Sequence, residues 1–226
     1  MNKPKVSVVA VALNEGKSIL KVLKLIPKDV VDEILVVDGH SKDDTVKIAK
    51  DAGYNVILQE GKGRGAAFQT GFKKVNGDVV VMLSTDGNER PGDIRKLVER
   101  INEGNDLVIA TRFGKGKSED VTFIRIIGNW CFTKMCSILG RVKITDSMNG
   151  FRALRKDALD KMNIQSQRFD IEGEITMKAG KLKMRVSEIP TIEDSRDHGD
   201  SRLHTFRDGY RIMKTIWKEY RNNPPY

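Results

Sequence analysis

The sequence predicts an α/β protein whose central sheet is mostly parallel and carries helices on both faces. Apolar segments and amphipathic segments alternate through residues 5–111, which is the pattern of strands connected by helices. The apolar segments are apolar at nearly every position, and strands of that kind belong in parallel sheets covered on both sides. A chain of 226 residues is long enough to bury the core of one large domain of this class.

Five short apolar segments account for the predicted strands. Each is rich in β-branched or other apolar residues, and turn or helix signals bound it. They cover residues 5–12, 33–38, 54–58, 78–84 and 106–111. The run DVVVMLS at 78–84 is the most continuously apolar, so we expect it to be buried on both sides.

Four segments with helical periodicity are predicted to connect these strands by right-handed crossovers. They cover residues 18–26, 41–53, 65–75 and 91–102. The second begins with Ser41 as a predicted N-cap, carries acids in its first turn and ends at Gly53. The fourth begins at Pro91, which is a favourable first residue of a helix.

The second half of the chain is predicted to form a loop and two helices, and each helix fits two environments. Residues 114–121, GKGKSEDV, predict a mobile polar loop. Residues 123–139 are apolar on most sides, and a buried core helix is the default interpretation. Residues 203–220 form a basic amphipathic helix, and both helices also fit a membrane interface. The apolar stripe of the last helix consists of Leu203, Phe206, Tyr210, Met213 and Trp217.

The charge is uneven along the chain, whose net charge is +9. Residues 1–113 carry 18 basic and 16 acidic side chains, whereas residues 114–226 carry 22 and 15. A basic second half favours an anionic partner, such as nucleic acid, a membrane surface or a phosphorylated ligand. Cys131 and Cys136 match no metal or redox spacing, so we expect reduced thiols and a cytosolic location. The N-terminal run does not resemble a signal peptide, and no apolar stretch is long enough to span a bilayer.

Polar side chains follow three of the predicted strands. Asn14 and Glu15 follow the first strand, Asp38 ends the second, and Asp86 follows the fourth. Because the carboxyl ends of parallel strands meet at one edge of a sheet, we expect these side chains to share a ligand cleft. Each acid taken alone also fits a turn former or a helix cap.

Asp86 and Asn88 stand two residues apart just beyond the fourth strand. In extended backbone this spacing sends both side chains to the same side. Both offer oxygen, the ligand that Mg²⁺ and Mn²⁺ prefer. Magnesium often binds through one or two protein oxygens together with phosphate oxygens and water, so the pattern favours a metal–diphosphate site. An ordinary turn is the alternative.

A loop with glycines at positions 61, 63 and 65 precedes the predicted helix at 65–75. Such a loop presents backbone N–H groups at a helix N-terminus, where anions bind. Lys62 and Arg64 could reach a phosphate from this loop, or they are solvated loop cations. The spacing matches neither the Walker loop nor the dinucleotide-binding fingerprint.

Three later segments also concentrate charged and hydroxyl side chains. The first contains Asp146 and the run Gly150-Phe151-Arg152, and the second, RFDIEGE at 168–174, contains Asp170, Glu172 and Glu174. The third segment, SRDHGDSRL at 195–203, fits phosphate recognition and fits an ordinary polar loop equally well. Its candidate ligands are Arg196, His198, Ser201 and Arg202.

Taken in order, these motifs resemble the family 2 glycosyltransferases, and within them the polyprenyl-phosphate glycosyltransferases of the dolichol-phosphate mannose synthase type. The resemblance runs from about Lys5 to Leu203. It rests on VALNE (11–15), EILVVDGHSKDDT (33–45), GKGRGAAFQTGF (61–72), STDGN (84–88), TRF (111–113), DSMNGFRAL (146–154), IEGE (171–174) and RDHGDSRL (196–203). The order and spacing of the motifs carry the resemblance, since no single motif is decisive.

The resemblance implies a role for each matching residue. The nucleotide sugar would contact Ala12, Leu13, Asn14, Glu15, Asp38, Lys62, Gly63, Arg64, Thr85 and Asp86, with Asp38 on the base. The divalent metal would be held by Asp86 and Asn88, and the acceptor phosphate by Arg112, Arg196, Ser201 and Arg202. Catalysis would depend on Asp86, Arg112, Glu172 and Arg196. Ser84 departs from the pattern, because the family usually has an acid there, and one carboxylate of the metal motif is therefore missing.

The resemblance also implies a single Rossmann-like nucleotide-diphospho-sugar transferase fold of the A type. A glycosyltransferase domain would cover 1–202, with a nucleotide-binding half at 1–113 and an acceptor-binding half at 114–202. A basic amphipathic helix and tail would follow at 203–226. The implied reaction is inverting transfer of a sugar from a UDP- or GDP-sugar to polyprenyl or dolichyl phosphate, with Mg²⁺ or Mn²⁺. We expect cytoplasmic, peripheral contact with the inner face of the membrane and no nucleic-acid partner, and a homodimer is left open.

Three other functions remain open at this point. A family 2 glycosyltransferase with another acceptor would keep the donor site. A sugar-phosphate nucleotidyltransferase shares this kind of sheet but usually carries a basic, glycine-rich loop directly after the first strand, where this chain reads ALNEGKS. A non-catalytic basic module that binds a membrane or nucleic acid would give Asp38, Asp86 and Asn88 no reason to converge.

Overall fold

The computed structural model describes residues 3–113, 116–118, 123–195 and 205–222. The strands are β1 Val6–Ala12, β2 Glu33–Asp38, β3 Asn55–Leu58, β4 Val79–Ser84, β5 Leu107–Thr111, β6 Lys117–Ser118, β7 Arg152–Arg155, β8 Val186–Pro190 and β9 Ile192–Glu193. The α-helices are α1 Ile19–Lys24, α2 Thr45–Asp51, α3 Arg64–Phe72, α4 Ile94–Asn102, α5 Phe123–Leu139, α6 Lys156–Met162, α7 Ile171–Lys181 and α8 Thr205–Arg221. A single 3₁₀ turn, Pro91–Asp93, leads into α4.

The central sheet has seven strands in the order β3-β2-β1-β4-β7-β5-β8. Every pair is parallel except those made by β7, which runs antiparallel to both β4 and β5. The predicted mostly parallel α/β sheet is therefore confirmed. The strands β6 and β9 form a separate two-stranded parallel pair. Residue 113 falls between strands of the same central sheet, so the predicted halves 1–113 and 114–202 share one sheet.

Both faces of the sheet are covered by helices, as the apolar strands predict. Side chains such as Val8 and Val81 pack against α1, α2 and α4 on one face. Their neighbours Val9 and Val80 pack against α3, α6 and α7 on the other face. Because successive side chains of a strand point to opposite faces, only strands that are apolar throughout can fill both cores.

The second helix begins later than the sequence predicts, and the predicted N-cap at Ser41 is wrong. The backbone N–H and the hydroxyl of Ser41 both donate to the carboxylate of Asp38, so Ser41 closes a turn at the end of β2. The helix then begins at Thr45 with Asp44 at the N-cap position. A short hydrogen-bonded turn between side chain and backbone has displaced the start of the helix.

The helices α5 and α8 lie outside the two main cores and pack against α7. A small third cluster joins them, in which Ile212 and Ile216 of α8 meet Cys136 of α5 and Met177 of α7. The default interpretation of α5 as a buried core helix is wrong, because Trp130 is 61% exposed and Ile138 is 73% exposed. Within the described residues, no helix is long and apolar enough to cross a membrane.

The predicted apolar stripe of the C-terminal helix does not face the protein. Phe206 is 86% exposed and Trp217 is 52% exposed, and Tyr210 and Met213 are exposed as well. A different and narrower stripe, made by Ile212 and Ile216, is buried. Leu203 lies outside the described residues. So do residues 114–115 and 119–121 of the predicted polar loop, whereas residues 117–118 form β6.

Gly71 of α3 offers a test of how closely this helix approaches the sheet. A Cβ atom at Gly71 would lie 2.3 Å from Cγ1 of Val9, so alanine cannot fit without moving the helix or the strand. We expect Gly71→Ala to lower the free energy of unfolding by about 1–3 kcal/mol, the usual cost of overpacking a core. Chemical denaturation of the variant measures this loss. Gly92→Ala is the control, since no atom lies within 4 Å of the added Cβ, and equal stability of both variants would contradict the close approach.

Candidate active site

A cavity of about 1210 Å³ lies at the carboxyl edge of the sheet. The strand register explains its position, because Ala12 of β1 lies opposite Asp38 of β2, and Val11 lies opposite Ser84 of β4. The three loops that follow these strands therefore start side by side. The predicted residues among the lining side chains are Ala12, Leu13, Asn14, Glu15, Lys62, Gly63, Arg64, Thr85, Asp86, Asn88, Arg112 and Glu172.

The loops after β1, β2 and β4 are tied to each other by hydrogen bonds. Asn14 adopts a left-handed conformation with φ of 49°. In that position its backbone N–H donates to Ser41 Oγ, and its side-chain oxygen accepts from the N–H of Lys42. Ser18 Oγ donates to the carbonyl of Thr85 at 2.7 Å. The floor of the cavity is thus fixed before any ligand enters.

Asp38 has a different position from the one that the resemblance implied. Its side chain is 1% exposed and does not line the cavity, and its carboxylate accepts both hydrogen bonds from Ser41. The next residues, Gly39 and His40, line the cavity instead. Asp38 thus forms the turn that its place at a strand end also allowed, and its contact with a ligand base stays a prediction.

The residues Asp86 and Asn88 fit an oxygen-seeking divalent cation. The Asn88 amide nitrogen donates to Glu193 at 3.1 Å, which turns the amide oxygen the other way. That oxygen is buried and accepts no hydrogen bond from any described residue. The described residues contain no group of three or more acidic, histidine or cysteine side chains placed to hold a metal. A cation at Asp86 and Asn88 would therefore need oxygens from a ligand and from water to complete its shell.

Arg64 crosses the cavity from α3 to the opposite wall. Its guanidinium donates to Ser84 Oγ at 2.9 Å and pairs with Glu172 at 2.8 Å. Glu89 lies 3.8 Å away on the same guanidinium. A Cβ atom at Gly150 would come within 2.1 Å of Arg64, so only glycine leaves room for this arrangement.

Glu89 is a site residue that the sequence analysis missed. It is buried behind Ser84, whose backbone N–H donates to it at 2.7 Å. Burial raises the pKa of its carboxyl to about 7, and the nearby Asp86 adds to the rise, while Arg64 opposes it. The signal in the sequence was the acid that directly follows Asn88, although an acid in a loop is usually solvated.

Arg112 was predicted to hold the acceptor phosphate, and its charge is already paired. It donates to both carboxylate oxygens of Asp146, at 2.8 and 3.1 Å, and reaches Glu193 at 3.3 Å. Burial on its own would lower the pKa of Arg112. Asp146 and Glu193 have the larger combined effect and raise this pKa above its usual value. Burial likewise opposes the charge of Asp146, and Arg112 lowers the pKa of this carboxyl despite it. Contact with a phosphate would require Arg112 to exchange one of these partners.

Arg152 holds together two segments that border the site. The sequence analysis noted it only as part of a motif. It is fully buried and donates to the carbonyl oxygens of Ser147, Asn149 and Glu172. Burial lowers its pKa to about 10. The guanidinium thereby joins the 147–149 loop to the start of α7, where Glu172 lies.

The other predicted acceptor ligands, Arg196, Ser201 and Arg202, lie outside the described residues. Lys62 is exposed at the rim of the cavity. The cavity also has apolar lining that no site prediction included. It comes from α5 and α8, through Ile124, Ile127, Phe132 and Ile212.

The same fold occurs in solved structures of glycosyltransferases. Glucosyl-3-phosphoglycerate synthase of Mycobacterium tuberculosis, in complex with Mn²⁺, UDP and phosphoglyceric acid, has a TM-score of 0.78 to this chain at 21% identity. The match covers 98% of this chain and 80% of that one. The fold is therefore that of the A-type glycosyltransferases.

The chain belongs to glycosyl transferase family 2, whose family model matches residues 7–162. The dolichol-phosphate mannosyltransferase of Pyrococcus furiosus is 32% identical over 93% of this chain and 64% of its own length. The UDP-N-acetylglucosamine–dolichyl-phosphate N-acetylglucosaminyltransferase of Methanococcus voltae is 29% identical over 89% of this chain and 92% of its own length. The glycosyltransferase AglJ of Haloferax volcanii is 28% identical over 94% of this chain and 71% of its own length.

Glu89→Gln tests the buried carboxyl through the pH dependence of stability. The pKa of Glu89 is raised in the folded protein, so the unfolded chain loses the Glu89 proton at a lower pH than the folded protein does. The free energy of unfolding therefore falls as the pH rises. A rise from 4.5 to about 7 corresponds to a loss of about 3 kcal/mol between those pH values, which the variant should not show. Denaturant unfolding of both proteins in chelator, at several pH values from 4.5 to 8, measures the difference. Parallel stability profiles for the two proteins would show that Glu89 is not perturbed.

Proposed function

We propose that this chain transfers a sugar, with inversion, from a UDP- or GDP-sugar to polyprenyl or dolichyl phosphate at a membrane surface. The observation that carries the proposal is the mixed lining of one cavity. Asn14, Glu15 and Asp86 line it from the strand ends, while Ile124 and Ile127 of α5 line it with apolar surface. A donor diphosphate and the first part of a lipid phosphate are the two ligands that such a lining would suit.

The donor would occupy the part of the cavity at the ends of β1 and β4. Arg64 begins α3 there, and Lys62 and Arg64 would supply positive charge for the diphosphate. One relative is named as a UDP-N-acetylglucosamine transferase, which supports a nucleotide-sugar donor.

A divalent cation, Mg²⁺ or Mn²⁺, would be held by Asp86 and Asn88. The orientation of the Asn88 amide supports this assignment, and so do structural neighbours that contain Mn²⁺ or Mg²⁺ together with UDP. When bound, the cation would offset the charge of the departing diphosphate. Ser84, which stands where the family usually has an acid, bonds Arg64 instead.

The acceptor phosphate needs no general base. A phosphate monoester is largely anionic at neutral pH, because its second pKa is about 6. Its oxygen forms the new bond to the anomeric carbon, the bond from that carbon to the diphosphate breaks, and the nucleoside diphosphate leaves with the electron pair. The protein's task is to hold two anions side by side and to stabilise the charge that develops on the leaving group.

The arginines of the site would perform this task by exchanging partners. Arg64 would give up part of its pairing with Glu172 for the donor diphosphate, which would leave Glu172 beside the sugar. Arg112 would turn from Glu193 to the acceptor phosphate while Asp146 keeps it in place. Arg196, Ser201 and Arg202 complete the proposed acceptor site.

The lipid acceptor places the reaction at a membrane, and we propose peripheral contact at its cytoplasmic face. The exposed aromatic stripe of α8 and the exposed apolar residues of α5 support this location. The row Arg207, Arg211, Lys214 and Lys218 lies beside the stripe, as in helices that bind anionic membrane surfaces. The two free cysteines are consistent with a reducing compartment.

A family 2 glycosyltransferase with a small soluble acceptor is the second candidate. It is favoured by the likeness to a structure that contains phosphoglyceric acid. The apolar lining from Ile124, Ile127 and Ile212 counts against it, because a small polar acceptor gains nothing from such a surface. Transfer assays with both kinds of acceptor separate the two candidates.

Asp86→Asn tests the donor and metal site. The substitution keeps the size of the side chain and removes the charge, so we expect sugar transfer to fall on the order of 100-fold or more. The assay uses labelled UDP- and GDP-sugars, Mg²⁺ or Mn²⁺ and a polyprenyl phosphate, and it measures label extracted into organic solvent. Asp51→Asn, at an exposed position of α2, is the matched control. Full transfer by Asp86→Asn in excess chelator would refute the metal assignment.

Phe206→Ser with Trp217→Ser tests the membrane contact. Losing two aromatic side chains from a lipid-facing stripe should weaken vesicle binding on the order of 100-fold. Vesicle flotation measures binding, and transfer to a short water-soluble acceptor measures the remaining activity. Leu25→Ser with Leu58→Ser is the control, because both leucines are 56% exposed outside α5 and α8. Equal binding by both double variants would rule out the stripe as the lipid contact.

A further inference from the structure

A second concave site lies at the C-terminal end of α5, outside the cavity described above. It is an open groove of about 580 Å³, and Lys134, Arg141 and Lys143 are among the residues that line it. None of the eight lining residues is acidic. All three cations are exposed, and none forms an ion pair or side-chain hydrogen bond with any residue in the described ranges.

The neighbouring carboxylate does not neutralise this site. Glu188 accepts hydrogen bonds from the backbone N–H groups of Thr145 and Asp146, at 2.9 and 3.0 Å. It also accepts from the hydroxyl of Thr145 at 2.9 Å. These bonds occupy its oxygens but leave its negative charge in place, so this one carboxylate offsets only part of the charge of the three cations.

The C-terminal end of a helix attracts cations, and this effect accounts for part of the arrangement. Lys134 and Arg141 lie within the last turns of α5 or just beyond it, where a positive charge is favourable. The helix end does not account for the concave shape or for the third cation, Lys143, which comes from the following segment. Arg141 adopts φ of 56°, the left-handed conformation in which many helices end, so its backbone needs no further explanation.

An exposed apolar strip connects this basic site with the catalytic cavity. The strip consists of Ile124, Ile127, Cys131 and Ile138, whose intervals of three, four and seven residues place them along one face of α5. Ile124 and Ile127 line the catalytic cavity, whereas Ile138, 73% exposed, lines the basic site. A helix of 17 residues spans about 25 Å, so the two sites lie at opposite ends of one apolar strip.

We propose that the basic site binds the phosphate headgroup of an anionic phospholipid, and so fixes how α5 lies against the membrane. The apolar strip would contact the acyl region, and the headgroup would be held by Lys134, Arg141 and Lys143. This inference rests on the membrane contact of the proposed function, and it adds a second lipid site that is separate from the acceptor. Its occupant is a structural lipid of the bilayer and does not react.

The test compares the triple variant Lys134→Gln, Arg141→Gln, Lys143→Gln with the wild-type full chain, without any sugar donor. Each basic residue near an anionic leaflet contributes about fivefold to binding, so we expect affinity to fall on the order of 100-fold. The probes are phosphatidylcholine vesicles with and without phosphatidylglycerol, measured by flotation. Binding to vesicles of phosphatidylcholine alone should be equal for the two proteins.

The control is the triple variant Lys24→Gln, Lys47→Gln, Lys50→Gln, which removes the same charge from exposed positions of α1 and α2. An equal loss of binding in the control would overturn the proposal, because it would show a diffuse effect of net charge. Competition by low-millimolar inorganic phosphate would overturn it too, since the site would then bind soluble anions. A wild-type chain that ignores phosphatidylglycerol would also overturn it.

Transfer to a short water-soluble polyprenyl phosphate keeps this result separate from the proposed function. The basic-site variant should retain that activity, because none of its three residues lines the catalytic cavity. If transfer occurs and the headgroup preference does not, the proposed function stands and the lipid site is wrong. Far-ultraviolet circular dichroism and thermal unfolding of all three proteins show whether each variant is folded.

Discussion

The in-register parallel pairing of β1 with β2 and β4 is the constraint on which the site depends. It places Ala12 beside Asp38 and Val11 beside Ser84, so three chain segments leave the sheet at the same height. The loops then bond one another, through Ser18 to Thr85 and through Asn14 to Ser41. Catalytic geometry depends on such preorganised support, and here it comes from backbone and hydroxyl groups.

Charge balance inside the cavity is the second determinant of the site. A buried charge without a partner is costly, so the largely buried arginines of the cavity are paired with carboxylates. Arg64 is balanced by Glu172 and Glu89, and Arg112 by Asp146 and Glu193. Anionic ligands would replace some of these carboxylates, and the cavity would then pass between two paired states without exposing a bare charge.

The sequence predicted the local features of the fold well. The five strands of the first half follow from their apolar runs, and the convergence of Asn14, Glu15 and Asp86 follows from parallel pairing. The sequence pattern could not show that β7 inserts antiparallel between β4 and β5. That pairing joins Val81 to Ala153, which are far apart along the chain. Glu193 was missed for the same reason, since its contact with Asn88 links residues that are 105 positions apart.

Asp38 shows a different limit of sequence reasoning. An acid at the end of a parallel strand fits a ligand contact and fits a turn equally well, and the choice depends on what the next few residues offer. Here Ser41 offers two donors within reach of the carboxylate, and the turn takes them. The same bonds delay the start of α2 to Thr45, so one local competition explains both departures from expectation.

The last helix shows why a periodic pattern does not reveal which stripe faces the protein. Ile216 and Ile212 pack beside Gly173 of α7, where an added Cβ would lie 3.5 and 3.8 Å from them. The aliphatic stripe is buried, and the bulky aromatic stripe is left outside. Large exposed apolar patches are costly for a protein that stays in water. The packing of α8 on α7 thus leaves the aromatic stripe uncovered by the described part of the chain, and this exposure is what the proposed membrane contact would use.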